Sequence, residues 1–275
     1  MVKAAAIQMV SNADVETNLD DATELIQQAV AEQAEFIVLP ENFSFMGHTE
    51  HDKLALAETQ GAGPLQTYLG AQARQHAIWL MGGTIPLQAN DTNKIRAASL
   101  LYNPRGECIA RYDKIHLFDV SIDSGGNKTY NESGTIEAGD EIAVAETSFG
   151  RIGMSVCYDL RFPELYRKMH AQNVNIITVP SAFTATTGKA HWESLLRARA
   201  IENLCYVIAP NQSGTHINKR ITWGHSMIIS PWGETLALIE EGPGIACADL
   251  DMDQLKILRQ SFPTLEHRKL SYQMT

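Results

Sequence analysis

GRIGMSVCYDLRFPE, residues 150–164, is the stretch from which the rest of the chain can be read. Ile152, Met154 and Val156 alternate with small or polar residues, which predicts a strand running to Cys157. Tyr158 and Asp159 then begin a turn, and Pro163 suits the first turn of the helix that follows Arg161. Cys157 is thereby placed at a strand tip, where the chain bends and offers side chains to a cleft. On position alone, two readings of such a thiol stay open. It is a buried space-filler, as cysteines often are, or a nucleophile at a strand-to-turn elbow that leaves the next backbone N–H free for an oxyanion. The stretch lacks a GxCxG pattern, so the remainder of the chain has to decide.

Outward from this stretch, strand-like and helix-like patterns alternate. Residues 4–9 predict a strand, and Leu19, Ala22, Leu25, Ile26, Ala29 and Val30 recur at helical spacing. The short apolar run 36–39 stops at Pro40-Glu41, so an acid stands at its tip. A helix at 65–76 and a strand at 78–82 follow. Strands at 97–102 and 107–112 flank Asn103-Pro104-Arg105-Gly106, a hairpin composition that makes them antiparallel neighbours. The sheet is therefore mixed. The Gly-, Ser-, Asp- and Asn-rich stretch 121–139 reads as a long functional loop. Beyond the central stretch come a strand at 142–147, a strand at 176–179 that ends in Pro180-Ser181, a helix at 189–203 and a strand at 206–209. A second hairpin lies around Pro231-Trp232-Gly233, followed by a strand at 244–250 and a helix at 252–260.

Bulk properties narrow the class. A chain of 275 residues that is 44% hydrophobic is ample for a large core, and no Pro/Gly/Ser-rich linker or charge block divides it. One domain over residues 1–275 is expected. A net charge of -10 argues against a general nucleic-acid surface and suits an enzyme of small substrates. The early apolar run is short for a membrane span and lacks a signal-peptide cleavage region, so no membrane partner is expected. Cys108, Cys157, Cys205 and Cys247 form no CxxC pair, which fits reduced thiols in a cytoplasm better than disulfides or a zinc site. The histidines, among them His48, His116, His191, His216 and His225, show no HExxH-like spacing. Gly61 in GAGP and the Ser124-Gly125-Gly126 run read as turns and not as phosphate loops.

Glu41, Lys114 and Cys157 each follow a strand, where a mixed α/β fold can bring them together. Their surroundings, LPENF, RYDKIHLFD and GMSVCYDLRFPEL, resemble the nitrilase superfamily of carbon–nitrogen hydrolases, whose signature is a Glu-Lys-Cys triad. The similarity runs from AIQM through PSAF and HWESLLRARAIEN to GHSM and SPWGE, nearly the whole chain. Within the superfamily the chain looks most like the Nit branch, and there like the deaminated glutathione amidases. The segments behind that finer resemblance are DKIHLFDV, AHWESLLRARAIENLCYV, GTHINKRITWGHSM and the run from EGPGIACADL to LEHR.

The resemblance implies a four-layer α-β-β-α sandwich with two mixed sheets, and subunits paired through helices near Cys157 and Lys189 into at least a homodimer. It also implies the roles. Glu41 acts as general base for Cys157, Lys114 and the Tyr158 N–H hold the oxyanion, and a thioester forms as ammonia leaves. Tyr130-Asn131-Glu132-Ser133 resembles the family's second-glutamate segment, which would make Glu132 the residue that holds Lys114 and positions substrate or water. Substrate contacts are expected from Tyr158, Phe183, Thr187 and Arg220, the last as a carboxylate fork. Arg161 reads better as an ion-pair former with nearby acids. No cofactor and no metal are called for. The implied substrate is a small carboxylate-bearing amide, first deaminated glutathione, with α-ketoglutaramate, N-carbamoyl compounds and nitriles as rivals that the segment before Gly224 would separate. A non-catalytic binding protein would be expected to lack part of the triad, and all three residues are present.

Overall fold

The computed structural model describes residues 1–122 and 128–270. The first half of the chain contains β1 (Val2–Gln8), α1 (Val15–Ala31), β2 (Phe36–Val38), α2 (Pro64–His76), β3 (Trp79–Met81) and β4 (Ile85–Gln88). It continues with β5 (Ile95–Tyr102), β6 (Cys108–Asp113), β7 (Asp119–Ile122) and β8 (Lys128–Asn131). The second half contains β9 (Ala143–Thr147), β10 (Gly150–Met154), α3 (Pro163–His170), β11 (Ile176–Thr178), α4 (Ala185–Asn203) and β12 (Tyr206–Ala209). After these come β13 (Ser213–Thr215), β14 (Ile221–Trp223), β15 (Ser226–Ile229), β16 (Thr235–Ile239), β17 (Gly244–Leu250) and α5 (Met252–Ser261).

Two mixed sheets carry the molecule. One has the order β17-β1-β2-β3-β5-β4 with β6 paired to β5, and the other the order β16-β15-β12-β11-β10-β9. In each, three central strands run parallel, β1-β2-β3 and β10-β11-β12, and the outer partners are antiparallel. Parallel strands buried on both faces read as continuous apolar runs, and the first sheet uses its two faces differently. Ala4, Ala6, Phe36, Val38, Met81 and Leu101 pack against the second sheet, in one core with Ile152, Met154 and Val207. Their neighbours Ala5, Ile7, Ile37, Leu39, Leu80 and Leu100 face the other way, onto Ala22, Leu25, Ile26 and Ala29 of α1 and Leu65, Leu69 and Ala73 of α2. On the far side of the second sheet, Leu165, Tyr166 and Met169 of α3 and Trp192, Leu196 and Ala200 of α4 join the central core. The result is the expected α-β-β-α sandwich, in which each fully buried Leu or Ile contributes about 2 kcal/mol by leaving water.

Local chemistry sets the helix ends. Asp14 caps α1 by accepting from the Thr17 N–H at 2.7 Å. Pro64 and Pro163 open α2 and α3, where a missing N–H costs nothing. Three sequence expectations change. The stretch 121–139 is not a plain loop, because β7 and β8 pair as a hairpin and Glu132–Gly134 forms one tight turn. The Ser124-Gly125-Gly126 turn lies outside the described residues. β10 stops at Met154, before Cys157, and α4 begins at Ala185, ahead of the expected start.

Candidate active site

The corner between the two sheets receives one side chain from each of several strand ends. Glu41 follows β2 after Leu39-Pro40, and Gly83 packs behind it. A Cβ on Gly83 would meet the Pro40 carbonyl oxygen at 2.0 Å, and its φ of +46° lies in the left-handed region. Lys114 follows β6. Gly139 lies against that turn so closely that a Cβ would stand 2.2 Å from the Asp113 oxygen. Cys157 follows β10 with φ 50°, a conformation that costs a non-glycine residue energy and is sustained by its surroundings.

Those surroundings are explicit. The Cys157 N–H donates to Pro180 O at 2.9 Å and the Asp159 N–H to Val156 O at 3.0 Å. The Tyr158 N–H between them finds no acceptor among the described residues. The carboxylate of Asp159, fully buried, accepts from Tyr112 Oη at 2.7 Å, Val156 N at 2.8 Å and His116 N at 3.0 Å, and meets His116 Nδ1 at 2.7 Å. His116 in turn stacks on Phe162 with ring centroids 3.7 Å apart. Asp159 therefore ties the segment that carries Lys114 to the turn that carries Cys157.

Lys114 is the centre of charge. Its Nζ donates to Glu41 Oε1 at 2.8 Å and to both Glu132 oxygens at 2.8 and 2.9 Å, with only 1% of the side chain exposed. Glu132 also accepts from the Phe118 N–H at 2.7 Å, and Glu41 Oε2 from the Ala182 N–H at 2.8 Å. Burial favours the neutral form of Glu41, but Lys114, aided by Arg220, outweighs it and holds the carboxyl below its usual value. Burial likewise disfavours the ammonium of Lys114, and the two carboxylates more than restore it, so its pKa lies well above the usual range. The Cys157 thiol is pushed up, first by burial and then by Glu41, against the pull of Lys114. At neutral pH the corner thus holds a carboxylate, an ammonium and a protonated thiol, a set able to move a proton from sulfur to oxygen as attack occurs.

All eight residues singled out from the sequence line one cavity of about 340 Å³: Glu41, Lys114, Glu132 and Cys157 at its floor, and Tyr158, Phe183, Thr187 and Arg220 on its walls. Phe183 is at once wall and core, since its ring packs 5.0 Å from that of Trp192. Arg161 is not among the lining residues and forms no ion pair with an acid among the described residues. It lies over the Tyr158 and Phe183 rings at 5.9 and 5.6 Å and contacts His191 Nδ1, because the aromatic wall occupies the place where an acid was expected. The sequence reading missed His48, just before the short 3-10 helix Glu50–Leu56, and Glu50 and Lys53 on that helix, all of which line the cavity. The Lys53-Glu50 spacing was visible as an i,i+3 pair, yet nothing pointed that pair inward. Among the described residues, no group of three or more His, Cys, Asp or Glu side chains is placed to hold a metal ion, and no helix is long and apolar enough to cross a membrane.

A family description, carbon-nitrogen hydrolase, matches residues 3–260. The deaminated glutathione amidase of Synechocystis sp. is 47% identical over 268 residues, covering 96% of this chain and 97% of that protein. The human protein of the same name is 39% identical over 268 residues, covering 96% of this chain and 81% of its own length. Among solved structures, yeast (Saccharomyces cerevisiae) Nit3, described as a member of branch 10 of the nitrilase superfamily, superposes with a TM-score of 0.87 at 31% identity over 98% of this chain and 97% of that one. The C. elegans NitFhit protein superposes at 0.89 with 37% identity over 98% of this chain, which spans 65% of the NitFhit chain.

Proposed function

The chain belongs to the carbon–nitrogen hydrolase family as a hydrolase of amides, and we propose that it cleaves deaminated glutathione through a thioester on Cys157. The observation that carries the chemistry is the Lys114 ammonium shared by Glu41 and Glu132 beside a buried thiol. The substrate rests on the names of the relatives.

In this reading Cys157 Sγ attacks the amide carbonyl while Glu41 Oε takes the thiol proton. The carbonyl electrons move onto oxygen, where Lys114 Nζ and the Tyr158 N–H donate to the oxyanion; one such donor is worth about 3 kcal/mol of barrier. The C–N bond then breaks, Glu41 returns the proton to the departing nitrogen, and the acyl group stays on sulfur. Water enters, Glu41 takes its proton, a second oxyanion forms and collapses, and the carboxylic acid leaves as the thiol is restored. Glu132 holds Lys114 by two hydrogen bonds and keeps its charge aimed at the reacting oxygen.

The leaving group depends on the amide. Glutathione that has lost its α-amino group keeps a secondary amide to cysteine, so its hydrolysis releases 2-oxoglutarate and cysteinylglycine. Ammonia leaves from a primary amide such as α-ketoglutaramate, and also from the N-carbamoyl amino acid and the nitrile, but not from deaminated glutathione. The deciding assay follows both products across a panel of deaminated glutathione, α-ketoglutaramate, an N-carbamoyl amino acid and a nitrile, with Cys157→Ala as control. Preference for deaminated glutathione, lost in the variant by about four orders of magnitude, supports the reading. Preference for another member replaces the substrate and leaves the chemistry. Such an enzyme works in a reducing cytoplasm, in keeping with four free cysteines. It pairs as a homodimer through α3 and α4, the helices near Cys157 and Lys189, as the family resemblance implies. Light scattering at micromolar concentration reads the mass.

A further inference from the structure

A buried histidine holds the turn of the β13–β14 hairpin. In residues 216–220 the His216 N–H donates to Arg220 O at 2.9 Å, the Lys219 N–H to His216 O at 2.8 Å and the Arg220 N–H to Asn218 Oδ1 at 2.9 Å. Lys219, with φ +63°, reverses the chain. The His216 side chain, only 4% exposed, leaves this turn and meets the Ser11 carbonyl oxygen through Nδ1 at 2.8 Å and Thr222 Oγ1 through Nε2 at 2.7 Å. A carbonyl can only accept, so Nδ1 carries the proton and, in the neutral ring, Nε2 accepts from the Thr222 hydroxyl. Burial outweighs the pull of the Ser11 carbonyl and, with Arg220 adding to it, holds the pKa of the ring below its usual value. The ring is therefore neutral at neutral pH, with both nitrogens partnered.

Ser11 is the joint. Its N–H donates to Gln212 Oε1 at 3.0 Å, and its hydroxyl accepts from Gln212 Nε2 at 2.8 Å and donates to Phe43 O at 2.9 Å. The same Gln212 nitrogen donates to the Glu41 carbonyl at 3.1 Å. The segment that seats the general base and the turn that carries Arg220 thus share one buried polar network, and a satisfied network holds its members in a single geometry. The amidase chemistry makes no use of His216, which is not among the residues that line the cavity. Among the described residues, two hydrogen bonds tie residues 216–220 to the chain outside the hairpin: His216 to Ser11, and Arg220 Nη2 to the Ala182 carbonyl. The second belongs to a side chain that adjusts to a ligand, so the first decides where the turn stands.

We propose that His216 is a positioning residue, anchoring the turn 216–220 to the segment that seats Glu41 so that the carboxylate contact expected of Arg220 stands at a fixed reach from Cys157. This deepens the amidase reading above and rests on it for the carboxylate end of the substrate. The consequence is a coupling between two residues. Loss of the anchor weakens carboxylate binding only while Arg220 is present to be positioned, whereas a histidine that merely stabilises the hairpin lowers the melting temperature and leaves binding to the folded protein unchanged.

Glutarate, a diacid without an amide, tests this without turnover. Isothermal titration compares wild type, His216→Gln, His216→Asn, Arg220→Gln and the double variant His216→Gln/Arg220→Gln. His216→Gln keeps a group for Thr222 and loses the one for Ser11, and affinity is expected to fall about 5- to 10-fold. His216→Asn sets an amide N–H where Nδ1 stood and is expected within about twofold of wild type. Arg220→Gln is expected to cost about 30-fold, and adding His216→Gln to it no more than about twofold further. Unchanged affinity in His216→Gln overturns the proposal, as do losses that multiply in the double variant. Absence of glutarate binding to wild type overturns it too, since the anchor would then serve no carboxylate contact. Thermal melts identify unfolding, and His216→Leu, an apolar side chain for the same space, repeats the cycle if His216→Gln does not fold. In turnover of α-ketoglutaramate the loss is expected in KM, with kcat within about twofold. If no amide of the panel is cleaved, the amidase reading fails and the titrations still decide the role of His216.

Discussion

The floor and the rim of the cavity are built on opposite terms. At the floor, Glu41, Lys114 and Cys157 leave from the ends of β2, β6 and β10, and the ammonium and both its carboxylate partners are held by short hydrogen bonds to side chains or backbone N–H groups. At the rim, Glu50–Leu56 and the β7–β8 and β13–β14 hairpins supply the residues, Ile217 and Ile221 stand 48% and 49% exposed, and the Arg220 Nε has no partner among the described residues. The charge that develops in any amide hydrolysis is the same, so its stabilisers can be fixed in advance. Binding a particular substrate needs groups that the substrate itself completes.

If the floor is electrostatically locked, Lys114→Met is the most damaging change to the fold. It leaves Glu41 and Glu132 facing each other, largely buried and without their cation, at a cost of about 3–5 kcal/mol by urea denaturation. Turnover falls by about 10²–10³. The pH dependence of both quantities follows from Glu41. Its depressed pKa means that it contributes stability above the usual 4.5, and that this contribution is lost as pH falls through the lower folded value. The acid limb of kcat/KM in wild type accordingly lies below pH 4.5. In Lys114→Met burial is opposed only by Arg220 and Cys157, and the limb moves up. A variant with wild-type stability and an unmoved limb would mean that the floor is not set by this ion pair.

A smaller effect is expected one layer back. Asp159→Asn keeps the shape but turns one acceptor oxygen into a donor that faces Tyr112 Oη, Val156 N or His116. One or two buried bonds are lost, about 2–3 kcal/mol. Because Asp159 links the Lys114 segment to the Cys157 turn, kcat drops with KM nearly constant. Equal changes in both would reduce Asp159 to a general stabiliser of the core.

The same contrast explains what the amino-acid order reveals. The floor is legible because LPE, YDK and SVCYD are short apolar or alternating runs that end abruptly at a reactive side chain, and the strand ends do lie together. The facing of the two sheets is hidden, because Ala4 to Ile7 and Phe36 to Leu39 are apolar on both sides and give no sign that one face meets helices and the other a sheet. β7, β8, β13 and β14 are only three or four residues long, too short for a period to show, and although each pairs with its neighbour, side-chain contacts from elsewhere in the chain tie these segments to the cavity. Glu132 is bound by Lys114 and Phe118, and His216 by the Ser11 carbonyl at 2.8 Å. Such contacts have no local signature. Lys53 is the sharpest case, a lysine that ordinary composition reads as surface and that is 8% exposed inside the rim.

Glu50→Gln probes that rim with the smallest expected effect. The carboxyl is held low, to about 2, first by Lys53 and then by Arg220 against burial. The side chain is 37% exposed, however, so water already screens the pair and stability changes by less than about 1 kcal/mol. What should change is the direction in which Arg220 is pulled. Without the Glu50 charge, the guanidinium is freer to meet a bound carboxylate but less firmly held toward the cavity, and both cations there gain net positive field. Glutarate binding is expected to shift by no more than a few-fold and to become more sensitive to salt, since an unscreened cation at an open rim loses more to 0.5 M ionic strength than a paired one. A loss as large as that of Arg220→Gln would move Glu50 from support to receptor and make the rim as preset as the floor.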